Sequence, residues 1–206
     1  MMNTRRRMLS MAALVMTALP VAKVAAAQVA PATEAKLDLA ITYDTLHTNH
    51  LIAREFWMQG GAIEMGASLY RGLGIVARVE GLHANANSAN GVPLNLVTTV
   101  FGPRYTMEMS HQRYAVFGEG LVGISNGFDS LFSEGSGPVG AVNAGTTSSA
   151  NALAVDVGGG VDVRLNHRLA IRAIRLSYLR TQFPNTTTNV QNSLSMSTGI
   201  VLRFGR

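Results

Sequence analysis

From Leu153 to Leu165 apolar and polar residues alternate without a break. Leu153, Val155, Val157, Gly159, Val161, Val163 and Leu165 share one side, and Asp156, Gly158, Gly160, Asp162 and Arg164 share the other. A period of two is that of a β-strand with two unlike faces. Strands of soluble sheets average about 5–6 residues, whereas one crossing a bilayer at about 45° needs roughly 9–11. The run therefore points to a membrane-spanning strand more than to a soluble sheet.

Seven further runs have the same character. Leu37, Leu39, Ile41 and Tyr43 alternate with Asp38, Ala40, Thr42 and Asp44. Ile63 to Leu69 and Ile75 to Glu80 follow, then Asn95 to Met107 and Arg113 to Ile124. Leu169 to Thr181 loses the period between Ala173 and Leu176, which predicts a bulge. Leu194, Met196, Ile200, Leu202 and Phe204 lie opposite Ser193, Ser195, Ser197 and Arg203. Between these runs tight turns are expected at Arg71-Gly72, Met109-Ser110-His111 and Asn166-His167-Arg168. Longer polar connections are expected at Thr45 to Phe56, Asn85 to Pro93, Ser125 to Asn151 and Gln182 to Gln191. Short turns on one side and long loops on the other is the layout of an outer-membrane barrel. The fold class is all-β: an eight-stranded antiparallel up-and-down transmembrane β-barrel.

Charge decides which face meets lipid. The polar faces carry Asp38, Asp44, Glu64, Glu80, Glu119, Asp156 and Asp162 against Arg78, Arg104, Arg164, Arg172 and Arg203. Such groups are tolerable inside a narrow barrel when paired and hydrogen-bonded. An eight-stranded barrel is just wide enough for side chains to fill it. The interior is thus expected to be a plug of ion pairs, with the apolar faces outside. Tyr43, Trp57, Tyr70, Tyr105, Tyr114, Tyr178 and Phe204 fall near strand ends, where girdles at the two interfaces would place them.

Residues 1–27 read as a cleaved signal peptide. Arg5, Arg6 and Arg7 give a positive start, Met8 to Val21 is largely apolar, and Ala25-Ala26-Ala27 supplies small residues for cleavage before Gln28. Thr4 to Leu9 also resembles a twin-arginine signal, but that route carries folded proteins, so general secretion is the expected path. Residues 28–36 read as a short periplasmic leader and 37–206 as the barrel. Of the 17 Lys and Arg, Arg5, Arg6, Arg7 and Lys23 lie in 1–27, leaving 13 against 12 Asp and Glu. That balance gives no general basic field and argues against nucleic acid. The chain has no cysteine, which excludes disulfides and thiolate metal sites.

Gly102-Pro103-Arg104-Tyr105, the run Val157 to Arg172 and the closing Gly199-Ile200-Val201-Leu202-Arg203-Phe204 resemble the OmpA/OmpX-like small outer-membrane barrels. The second of these, a Gly-rich strand, a tight turn and a return strand with an inward Arg, is similar to that family's penultimate hairpin. Members commonly end on an aromatic residue read by the barrel insertion machinery. Here Phe204 is followed by Gly205-Arg206, so recognition is expected either to rest on an internal Phe or to be weaker. The resemblance implies the outer membrane as location. It implies outer-membrane lipid and lipopolysaccharide as surroundings, the insertion machinery as assembly partner, and a monomer without cofactor.

No catalytic set stands out. His47 and His50, with Glu55 nearby, lack a third fixed ligand and read as solvated loop histidines. His83 and His111 lie near strand ends and His167 in a turn, none beside a defensible nucleophile and acid. Gly158-Gly159-Gly160 lies inside a strand with no helix after it, so a phosphate loop is excluded. Those glycines are read as allowing curvature or close packing. The expected role is a non-catalytic structural or loop-mediated interaction barrel. A lipid-modifying outer-membrane enzyme, a narrow pore and a soluble periplasmic ligand-binding barrel are the alternatives.

Overall fold

The computed structural model describes residues 36–51, 54–85, 93–109, 113–133, 146–184 and 189–205. The signal peptide and nearly all of the leader read from the sequence lie outside these residues, as does His111.

Eight strands follow one another: β1 Lys36–Leu51, β2 Arg54–Tyr70, β3 Leu73–Ala84, β4 Leu94–Met109, β5 Tyr114–Ser133, β6 Thr146–Arg164, β7 Leu169–Thr181 and β8 Gln191–Phe204. Each pairs antiparallel with the next, and β1 pairs with β8 to close the barrel. Closure leaves no unpaired edge, a condition for any sheet in lipid.

Alternation then sorts the side chains. Along β3 exposed and buried residues alternate from Leu73 to Ala84. On the outside, Phe101 is 64% exposed, Val157 57%, Ile63 56% and Ile41 55%, although all are large and apolar. Tyr70, Tyr105, Tyr114 and Phe204 stand outward toward the short-turn end, while Trp57 and Tyr178 stand outward toward the long-loop end. Between Tyr114 and Ile124 the outward row of β5 climbs roughly ten residues. At about 3.3 Å each and a tilt near 40°, that is a band about 25 Å tall, the height of a bilayer core.

The short connections are built by local chemistry. Arg71 and Gly72 both have positive φ, 45° and 86°, between the paired Tyr70 and Leu73. That is a two-residue hairpin turn whose twist matches the strands. A Cβ on Gly72 would also lie 2.4 Å from the Thr106 carbonyl oxygen. In the turn between β6 and β7 the Asn166 Oδ1 accepts from the backbone N–H groups of Arg168 (2.9 Å) and Leu169 (2.8 Å).

Two of the expected loops are largely strand. Thr45 to Phe56 is not a loop: Leu46 pairs with Met58, His47 with Trp57 and Thr48 with Phe56. Within Ser125 to Asn151, β5 continues to Ser133 and β6 begins at Thr146, with Phe132 opposite Thr147. In β1 the period of two persists through Thr48 while the apolar residues change sides, and in β5 a register shift between Phe128 and Phe132 also breaks the period. The expected bulge in β7 is present: Val161 pairs with Ile174 but Asp162 pairs with Arg172. Its consequence was not legible from the alternation. The extra residue shifts parity, so Arg172 and Arg175 both point inward and are buried.

Candidate functional site

A single network of buried charges fills the middle of the barrel. Glu64, from β2, is its hub. It accepts from Arg78 Nη1 at 3.2 Å, Arg104 Nη2 at 2.5 Å and Arg172 Nη1 at 2.8 Å. These arginines come from β3, β4 and β7, so the hub ties opposite walls together. Each has a second carboxylate. Arg78 Nη2 donates to Asp44 at 2.8 Å, Arg104 Nε to Glu119 at 2.8 Å, and Arg172 Nε to Asp162 at 3.0 Å. Arg175 extends the chain, donating to Glu119 at 2.6 Å and Asp156 at 2.7 Å. Phe117 lies between two of the arginines, its ring 4.5 Å from the guanidinium carbons of both Arg104 and Arg172. A Cβ on Gly160 would come within 2.8 Å of that ring and 2.4 Å of the Ile174 carbonyl oxygen, so this glycine makes room for the packing.

All seven carboxylates assigned to the polar face do point inward. Asp38 is partly exposed toward the short-turn end and the other six are buried. Of the arginines, Arg78, Arg104 and Arg172 are buried, while Arg164 and Arg203 are half-buried near the short turns. Arg175, missed in the sequence, completes the set.

The charge plug does not extend through the barrel. Toward the long-loop end the interior becomes apolar, with Leu46, Phe56, Met58, Leu82, Leu96, Phe132, Leu179 and Phe183 in one buried cluster. Phe132 stacks on Phe183 at 5.5 Å. At the same end the exterior becomes polar. The Tyr43 hydroxyl donates to Gln59 at 2.6 Å, and Asn126 donates to Asn151 across β5 and β6 at 2.6 Å. His83 bridges Asn95 and Asn85, and Asn95 donates to Asp129 at 2.8 Å. Tyr178 donates to Asn192 at 2.6 Å. The wall thus inverts along its length, from charged inside and apolar outside to apolar inside and polar outside. The expectation of an ion-paired interior holds for one part of the barrel and is replaced in the other by a water-type β-barrel core.

Neither a protein-family profile nor a curated protein matches the sequence. Solved structures do match in fold. Neisserial surface protein A (NspA) aligns with a TM-score of 0.60 at 12% identity, over 82% of this chain and 97% of that one. Ail, the attachment invasion locus protein of Yersinia pestis, solved with the heparin analogue sucrose octasulfate, aligns at 0.54 and 14% identity, over 84% and 100%. The closed eight-stranded topology and the apolar outer band agree with that likeness. The chain has the OmpA/OmpX-like fold of the small outer-membrane β-barrels.

The soluble ligand-carrier alternative required a polar exterior, and the large apolar Ile41, Ile63, Phe101 and Val157 are exposed there instead. The residues singled out as chemical candidates do not converge. His47 is on β1, not in a loop, with its ring 4.7 Å from that of Trp57. The side chains of His50 and Glu55 lie outside the described ones. His83 belongs to the outer polar belt and His167 is exposed in the turn after β6. Among the described residues no group of three His, Asp or Glu is placed to hold a metal ion. A shallow groove of about 470 Å³ runs over the lipid-facing wall between Trp57, Val157, Leu176, Tyr178, Leu194 and Met196. His47, Ser177 and Ser195 also line it, and the rest of its lining suits acyl chains.

Proposed function

We propose that this barrel is non-catalytic and holds a rigid platform above the outer membrane from which its long connections contact partners. The observation that carries this reading is the inverted wall. Strands β1, β2, β5 and β6 continue past the lipid-facing band, and the apolar cluster around Phe56, Phe132 and Phe183 fixes them from within. A barrel that served only to fill membrane would have no need of a second core beyond the lipid. The midsection supports the same reading, because the network around Glu64 occupies the lumen that a pore would keep open. Outer-membrane lipid and lipopolysaccharide surround the platform, and the insertion machinery places it there.

The test separates anchoring from contact. Replacing residues 134–145 by a short Gly-Ser link is expected to leave the heat-shifted gel mobility intact while reducing binding of expressing cells to host-cell surfaces. Because Ail has been solved with a heparin analogue, sulfated glycans are the first ligand class to screen. Steady single-channel conductance of the purified barrel in planar bilayers would replace this reading with the pore, and release of a lipid-derived product from outer-membrane vesicles would replace it with the enzyme.

A further inference from the structure

The short-turn rim carries an arc of arginines that the ion network does not use. Arg71 lies in the turn between β2 and β3, Arg113 just before β5, Arg168 just before β7, and Arg203 near the end of β8. Backbone bonds set two pairs of arginines side by side, Arg113 with Arg164 and Arg168 with Arg203, while Arg71 stands in its own turn. Arg164 N–H donates to the Arg113 carbonyl oxygen at 2.8 Å, and Arg203 N–H donates to that of Arg168 at 2.8 Å. Arg71, Arg113 and Arg168 are exposed and have no carboxylate partner among the described residues; Glu108 is taken by Arg164. At the opposite rim the described charged side chains are one Asp129 and one Arg180.

Like charges held together on neighbouring strands repel unless an anion sits among them. The arc's position names that anion. Arg71 stands over the Tyr70 ring, 5.1 Å from its centroid, and Arg113 and Arg203 adjoin the outward Tyr114 and Phe204. Outward aromatics mark the level of the glycerol and headgroup region. An arginine one residue further out reaches the phosphates, its stem covered by the ring beneath. Short turns of such barrels face the periplasm. We propose that this rim is a binding surface for the phosphate groups of anionic phospholipid in the periplasmic leaflet. Arginine's forked donors suit phosphate oxygens, and each basic side chain near an anionic surface favours association by about fivefold.

The chain's single tryptophan, Trp57, lies toward the other end, which makes a located reporter possible. Tyr70→Trp combined with Trp57→Phe places the fluorophore beside Arg71, and Tyr114→Trp with Trp57→Phe places a second beside Arg113. The full barrel is refolded into phosphatidylcholine vesicles containing phosphatidylglycerol, and quenching by brominated versions of each lipid is compared. Phosphatidylglycerol is expected to be preferred about fivefold or more at either rim reporter. The preference should weaken in 0.5 M salt (roughly a 4 Å Debye length) and be lost when Arg71, Arg113 and Arg168 are all changed to Gln. Native Trp57 should show no preference. Equal quenching by the two lipids at both rim reporters would overturn the proposal. So would a preference that survives the triple change, or one equally strong at Trp57.

Discussion

Glu64 is the point at which the interior can be tested with one atom pair. Glu64→Gln keeps the shape of the side chain but replaces one acceptor oxygen with an NH2 donor facing guanidinium donors. Three contacts are affected, with Arg78 at 3.2 Å, Arg104 at 2.5 Å and Arg172 at 2.8 Å. The site is 2% exposed, so water cannot replace the lost acceptor. Removing one partner of a buried ion pair costs about 3–5 kcal/mol, because a desolvated charge is left without compensation. Each arginine retains a second carboxylate, Asp44, Glu119 or Asp162, which places the expected loss within that range and not at three times it. Glu108→Gln is the matched control. Glu108 pairs with Arg164 at the rim, where the two side chains are 35% and 22% exposed, and a pair of that kind contributes about 0–1 kcal/mol. Urea unfolding in detergent micelles, followed by Trp57 fluorescence and by gel mobility without boiling, measures both. If Glu64→Gln costs no more than Glu108→Gln, the network is not what holds the walls together.

Other consequences follow from the same structure. The described buried set holds Asp44, Glu64, Glu80, Glu119, Asp156 and Asp162 against Arg78, Arg104, Arg172 and Arg175, so carboxylates are in excess. Arg172→Gln is therefore expected to destabilise the barrel more than Glu64→Gln in the same urea titration; the reverse order would contradict this balance. Val157→Arg puts a charge in the lipid-facing band and should cost about 2–4 kcal/mol in phospholipid vesicles, whereas Asn151→Arg, in the polar belt on the same strand, should cost less than about 1. Phe56→Ala opens the apolar core at the long-loop end and should cost about 3–5 kcal/mol, equally in micelles and in vesicles, because its neighbours are protein and not lipid.

Much of the architecture was legible because an eight-stranded barrel writes each wall as a period of two. The run through Asp156, Asp162 and Arg164 gave the inward face of β6 directly, and the lost period after Arg172 gave the bulge. The same bulge hid Arg175, since parity counted from Arg172 places it outside. The extensions of β1, β2, β5 and β6 were hidden by a different cause. Alternation was read with one rule, apolar outward, and beyond the lipid the rule reverses. In β1 the reversal falls between Asp44, which points inward, and Leu46, which also does. Thr45 and His47 then look like loop residues although they are the outer face of a continuing strand. In β1 a swap of phase within an unbroken period of two was the available signal, whereas in β5 the register shift between Phe128 and Phe132 broke the period as well. The contacts of Glu64 were beyond reach, because they join strands distant in sequence across the lumen.

The inverted wall can be examined most directly on β6, in a chain without native cysteine. Val157→Cys and Asn151→Cys are expressed in cells, and each is exposed to a membrane-impermeant maleimide before the outer membrane is isolated. Labelling is expected at position 151 and absent at 157 until the membrane is dissolved and the barrel unfolded. Labelling of 157 in intact cells, or protection of 151, would contradict a lipid-facing band topped by a water-facing belt.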